Sequence, residues 1–147
     1  MITVDIKTNT IDNLDKKFLP IMQKAINDAL MATALVAQGY AQQSILRGAK
    51  TGRIYKRGKI THRASAPGEP PANDTGFLAQ NIVSSPVDEQ KHSVEIRSQA
   101  PYSIHLEYGT RNMAARPFLR PAGDQAKVQG EKIMRQFIDA ASKAARE

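Results

Sequence analysis

LDKKFLPIMQKAINDALMATALVAQGYAQQSIL, Leu14–Leu46, is the stretch that decides the fold. Leu14, Phe18, Ile21/Met22, Ala25/Ile26, Ala29/Leu30, Thr33, Val36/Ala37, Tyr40/Ala41 and Leu46 keep a helical period on one face, and helix formers fill most of the positions between them. Pro20 is the dissonant residue. It either kinks the helix or sits near the first turn of a main helix beginning at about Leu19. Read as one helix from about 14 to 46 with a disturbance near 20, the stretch spans roughly 45–50 Å at ~1.5 Å per residue. That is long for a chain of 147 residues, and it implies contact with something beyond the chain's own core.

On the N-terminal side, Ile2, Val4 and Ile6 alternate with Thr3, Asp5 and Lys7, which predicts a short half-buried strand. Asn9–Asn13 then offers turn chemistry, with Asp12 or Asn13 as a helix cap. On the C-terminal side the pattern dissolves. Gly48, Gly52, Gly58 and Gly68 with Pro67, Pro70 and Pro71 are expected to forbid regular structure over most of 48–73, leaving an extended Gly/Pro-rich basic loop and arm. A loop of about 25 residues inside a small domain tends to be functional or mobile. Each Pro of Glu69-Pro70-Pro71-Ala72 fixes its own φ, so that segment reads as a rigid spacer or an arm that docks on a neighbour.

Asp74 or Thr75 is placed to cap a short helix through Phe77, Leu78 and Ile82. Strands at Ile82–Pro86 and His92–Ser98 follow, closed as a hairpin by Val87–Lys91, and then a helical turn at Tyr102–Tyr108 and a loop at Gly109–Ala115. From about Pro117 to Ala145, apolar residues at Phe118, Ala122, Ala126, Ile133/Met134, Phe137/Ile138, Ala141 and Ala144/Ala145 predict a second long amphipathic helix, weakened at Pro121, Gly123 and Gly130. The expected architecture is α+β, one domain over 1–147. Two long helices pack on a small, mostly antiparallel sheet, with a long basic loop between the first helix and the sheet.

Composition narrows the function classes. Apolar residues make up 41% but aromatics only 5%, without Trp, so aliphatic and Ala-rich packing must supply the core. The absence of Cys removes disulfides and thiolate metal sites, as expected of a protein assembled in a cytoplasm. No run approaches the roughly 20 apolar residues of a membrane helix, and Met1-Ile2-Thr3-Val4-Asp5 lacks the start of a signal peptide. A soluble intracellular product without membrane partners is expected.

The net charge of +7 is concentrated. Arg47, Lys50, Arg53, Lys56, Arg57, Lys59 and Arg63 lie in seventeen residues without an acid, whereas the remainder holds 14 basic and 14 acidic residues. Three readings of this segment stay open: a solvated loop, a contact for polyanion through salt-sensitive, sequence-independent phosphate neutralisation, and a loop that orders on an acidic protein surface. Only Tyr55 interleaves the charges, which gives base stacking little support, and no helix-turn-helix or zinc module is present to read sequence.

Catalytic motifs are lacking. His62, His92 and His105 have no ligand spacing, and His105-Leu106-Glu107 lacks the second His of the zinc helix pattern. Gly48-Ala49-Lys50-Thr51 resembles the end of a phosphate-binding loop, but Ala49 stands where Gly should precede the Lys, and Ser44 where the first Gly belongs. No Gly-x-Ser-x-Gly elbow appears. A non-enzyme without metal or cofactor is expected.

Tyr102-Ser-Ile-His-Leu-Glu107-Tyr-Gly109-Thr110-Arg, followed by Ala115-Arg116-Pro117-Phe118-Leu119-Arg120-Pro121-Ala122, resembles the neck or tail-completion proteins of long-tailed phages, also described as minor tail or head–tail joining proteins. Ser65-Ala-Pro67-Gly68-Glu-Pro70-Pro71-Ala and Thr75-Gly76-x-Leu78-x-x-Asn81-Ile82 match the same pattern upstream, so the similarity covers about residues 47–125. The resemblance implies a structural virion protein, made in the host cytoplasm, that assembles as a homo-oligomeric, sixfold ring at the head–tail junction. Its partners would be the head connector or stopper, the tail terminator or tail tube, and the packaged DNA. The rival reading is a small sequence-independent nucleic-acid-binding accessory protein acting through 47–63. Physically, Gly109 permits a positive φ after the helical turn, Thr110 can bond its own backbone, Pro117 suits the first turn of the last helix, and Phe118 and Leu119 anchor that helix. Pro121 belongs to the same matched motif. Glu107, Arg116 and Arg120 are the candidates for a subunit interface, the two arginines pairing with Glu107 or with a neighbour.

Overall fold

The computed structural model describes residues 9–146. The strand expected at Ile2–Ile6 lies outside them. Helix α1 runs from Asn9 to Arg47, about 58 Å at ~1.5 Å per residue, so the turn expected at Asn9–Asn13 is already helical. Pro20 sits inside α1, where it removes one backbone hydrogen bond without ending the helix. Strands β1 (Ile54–Arg57) and β2 (Ile60–Arg63) follow, then α2 (Phe77–Gln80), β3 (Ile82–Ser84), β4 (Ile96–Ser98), α3 (Ser103–Tyr108) and α4 (Leu119–Ala144). This is an α+β fold with two long helices and two separate two-stranded antiparallel sheets, β1–β2 and β3–β4.

The two long helices pack on each other. Buried Ala25, Ala29, Ala37, Ala41 and Ile45 recur on α1 at multiples of four residues, so the stripe is the i+4 ridge and its small side chains let a partner helix approach closely. Thr33 lies on the same ridge, and Gly130 of α4 comes close to it. A Cβ built there would lie 2.9 Å from Thr33 Cγ2. Because Ala122 clusters with Ala37, Ala41 and Ile45 while Gly130 meets Thr33, the helices run antiparallel. The main core sits at one end of this pair, where Leu78, Ala79, Ile82, Ala100 and Phe118 close over the C-terminal half of α1. The residue buried there is Ile45; the expected Leu46 is half exposed.

The sequence expectation fails most clearly in 48–73, which contains the β1–β2 hairpin rather than a long irregular loop. Arg57 pairs with Ile60 across the two-residue turn Gly58-Lys59, and of these two only Gly58 has positive φ, +63°. That is the pattern of a II′ turn, which demands Gly first and matches the strand twist. The Pro-rich segment that follows lies against its own chain, with Pro71 buried. β3 and β4 are shorter than expected, although Asp88 and Ser93 extend their pairing towards the turn. Ile82 begins β3 instead of prolonging α2. No helix among the described residues is long and apolar enough to cross a membrane.

Candidate functional site

The turn from α3 into α4 is built around Glu107. Gly109 ends α3 with φ +78°, and a Cβ there would lie 2.7 Å from Met113 O, so this position requires glycine. Thr110 and Met113 exchange backbone hydrogen bonds of 2.8 and 3.3 Å, and the Thr110 hydroxyl accepts from Asn112 N–H at 3.3 Å. The loop thus folds back, and Arg116 N–H donates to Leu106 O at 2.7 Å. This brings the first turn of α4 onto the buried carboxylate of Glu107. Oε2 accepts from the N–H groups of Phe118 (2.9 Å) and Leu119 (3.0 Å), and Oε1 from Arg120 (2.8 Å). A helix start leaves four N–H groups without internal partners. Here three go to Glu107, and the fourth position is Pro121, which has none. The negative charge also faces the positive end of the helix dipole.

Pro117 therefore precedes the cap residue Phe118 and lies outside the first turn, and it is Pro121 that occupies that turn. Phe118 is fully buried and Leu119 packs against the core. The Arg116 side chain does not reach Glu107. Its Nε donates to Ser65 Oγ at 2.8 Å, Nη2 to Ser65 O at 3.2 Å and Nη1 to Ala114 O at 2.9 Å. Nor does the Arg120 side chain pair with Glu107; its guanidinium lies 5.9 Å from the Tyr108 ring centroid, in cation–π range. Tyr102 is exposed beside Phe77, with ring centroids 6.3 Å apart.

The same contacts fix the base of the basic hairpin. Gly68 N–H donates to Ala115 O at 3.0 Å. Glu69 accepts from Thr51 N–H (2.9 Å), from the Thr51 hydroxyl and from Ala66 N–H (2.8 Å). These three donors, the Thr51 hydroxyl foremost, hold its carboxyl down at about 2. Lys50 turns inward to Ser44 O and Pro70 O at 3.2 and 3.3 Å, and burial lowers its pKa against the opposing pull of Glu69. Asp74, expected as a helix cap, instead receives Arg57 and lies 3.3 Å from His62 Nε2. Asn73 and Thr75 accept the N–H groups of Gly76 and Phe77 at the start of α2.

The seven basic residues are thereby sorted. Arg57 is paired and Lys50 is tucked against carbonyls. Arg47 is exposed in the last turn of α1, where its charge complements the helix dipole. Arg53, Lys56, Lys59 and Arg63 are exposed and have no acidic partner among the described residues. Register divides the hairpin into two faces. Tyr55 and His62 stack at 5.7 Å on the face that carries Arg57, the side towards Asp74. Ile54 and Arg63, with Lys56 and Thr61, stand on the opposite face.

Behind the hairpin lies an open cavity of ≈ 320 Å³ lined by Tyr55, Pro71, Phe77, Tyr102, Leu106 and Met113 among others, with Arg116 and Asp74 at its polar edges. No group of three or more His, Asp or Glu is arranged to hold a metal ion among the described residues. Protein-family models, curated proteins and solved structures yield no match to the chain.

The sequence pattern named Ser65, Glu69 and Asp74 as motif, arm and cap residues but missed the contacts of their side chains. A signal existed for two of them: Glu69 and Asp74 are the first acids after seven cations, and are the nearest counter-charges along the chain.

Proposed function

We propose that the chain is a structural, non-enzymatic subunit of the head–tail junction of a long-tailed phage, assembling as a sixfold ring that joins the head connector to the tail around the DNA path. The observation that carries this reading is the half of the α1–α4 pair remote from the main core. Among the described residues, those of the two helices buried outside the main core are the alanines 25, 29, 34 and 141. Ile21, Ile26, Leu30, Ile133, Phe137 and Ile138 stay only half-buried. A helix pair whose large apolar side chains are left without a covering layer among the described residues is suited to packing against another subunit. The motif order supports the reading from another direction. Glu-Tyr-Gly-Thr and Arg-Pro-Phe-Leu-Arg-Pro form one folding unit in this chain, with Glu107 as its centre.

In this reading the mechanism is binding. Arg120 with Tyr108, exposed beside Ile104, forms part of the surface offered to a neighbour. Native mass spectrometry and negative-stain imaging of the purified chain, alone and with connector or tail-tube protein, test it. Rings are expected, either spontaneously or on addition of a partner. A strictly monomeric chain that ignores both partners refutes the proposal and leaves the accessory nucleic-acid-binding reading in its place.

A further inference from the structure

The outer face of the β1–β2 hairpin is a second surface whose chemistry points to a partner, whether or not the chain forms a ring. An isolated two-stranded hairpin is marginal in water, yet this one buries almost none of its eight strand residues. Its inner face is tied down by Asp74 through Arg57 and His62. Its outer face and turn carry Lys56, Lys59 and Arg63, while Arg53, just before β1, falls by alternation on the inner side with Tyr55 and Arg57; all four are exposed. None of the four has an acidic partner among the described residues. Three unneutralised cations on one face and turn of a ribbon repel one another, and an anionic surface relieves that repulsion.

We infer that this face binds the phosphate backbone of nucleic acid through Lys56, Lys59 and Arg63, without reading sequence. The aromatic residue of the hairpin argues for backbone contact alone. Tyr55 is stacked on His62 on the inner side, so no ring is presented outward for base stacking. The neutral residues of the outer face, Ile54 and Thr61, offer little for a base edge. The size fits as well. Four strand residues extend ~13 Å, which lies along about eight duplex charges at ~1.7 Å each.

Fluorescence anisotropy of a short random-sequence DNA duplex, titrated with the full chain across a salt series, tests the assignment. Three phosphate contacts give a slope of log affinity against log salt of about −2.7 per chain, or a loss of about 40-fold between about 50 and 200 mM salt. The triple variant Lys56→Gln/Lys59→Gln/Arg63→Gln removes all three contacts and should bring the slope close to zero. Lys132→Gln, on the exposed surface of α4, should leave the slope of the parent chain unchanged. A parent slope near zero, or a triple variant with the parent's slope, overturns the inference. So does an acidic polyglutamate chain that competes as well as DNA at equal charge, which would assign the face to an acidic protein. Rings without salt-dependent DNA affinity would remove this inference alone, and DNA binding by a strict monomer would remove the ring alone.

Discussion

Replacing Glu107 is the sharpest perturbation this chain offers. Its carboxylate accepts three consecutive backbone N–H groups at 2.8–3.0 Å, and Phe118, which donates one of them, is fully buried. In Glu107→Ala the Phe118 N–H has no access to water and bears the full cost of an unmet donor, about 2 kcal/mol. Leu119 and Arg120 are more exposed, so water partly replaces their acceptor, and each costs about 0.5–1 kcal/mol, as at an ordinary helix cap. The sum is about 3–4 kcal/mol, a fall in Tm of roughly 10 °C for a domain of this size. Glu107→Gln keeps the shape and one acceptor oxygen but turns an amide NH2 towards the remaining donor. It should cost roughly half as much. Urea denaturation followed by far-UV circular dichroism measures both. If Glu107→Ala lies within about 1 kcal/mol of the parent, the capping account is wrong. If instead Glu107→Gln leaves stability intact but prevents assembly, the carboxylate acts between subunits.

Four further outcomes follow from the same geometry. Gly109→Ala places a Cβ against Met113 O at a positive φ and should cost at least about 2 kcal/mol in the same denaturation assay. Glu69 titrates below its ordinary value in the folded chain, at about 2 rather than 4.5; its stabilising contribution is complete above about 4.5 and is lost as pH falls towards 2, so Glu69→Gln should flatten the acid limb of Tm against pH. Asp74→Asn should quicken amide hydrogen exchange across residues 54–63 while changing global stability by less than about 1 kcal/mol, because the ion pair it breaks is largely exposed; unchanged exchange there would mean that something else fixes the hairpin. Gly130→Ala should gain nothing in the parent chain, where Thr33 Cγ2 blocks the new Cβ, but should stabilise a Thr33→Ser background by about 0.5–1 kcal/mol through helix propensity; equal effects in both backgrounds would contradict the contact.

What was legible in the sequence is what depends on local period. The 3.6-residue recurrence marked α1 and α4, and alternation around Val87–Lys91 marked β3–β4. The hairpin in 48–73 was hidden because its strands lack an apolar face. Ile54 and Ile60 lie on opposite faces, so no alternation survives among the charges. Gly58-Lys59 was the available signal, a Gly-first pair between two runs rich in Ile, Tyr and Thr. Ile45 displaced Leu46 from the core for a related reason: the buried ridge repeats at four residues, and the smaller Ala41 and Ala37 set its line.

The candidate site was less legible than the fold because its contacts join residues far apart in sequence. Arg116 reaches back 51 positions to Ser65, and Glu107 reaches 11 to 13 ahead to the start of α4. Spacing alone could suggest that Glu107, Arg116 and Arg120 answer one another. In fact each side chain finds a different partner: backbone N–H groups, a serine, and a tyrosine ring. That division has a consequence for how the surfaces act together. Ser65 and Glu69 lie within a few residues of β2: the Glu69–Thr51 contact closes the two ends of the hairpin on each other, and the Arg116–Ser65 and Gly68–Ala115 contacts tie that base to the turn that starts α4. The basic face and the α1–α4 pair are therefore positioned by one rigid unit rather than by a flexible linker. A subunit that packs its helices against a neighbour thus fixes where its basic hairpin stands, and a ring of such subunits would present its cations in register around a single axis.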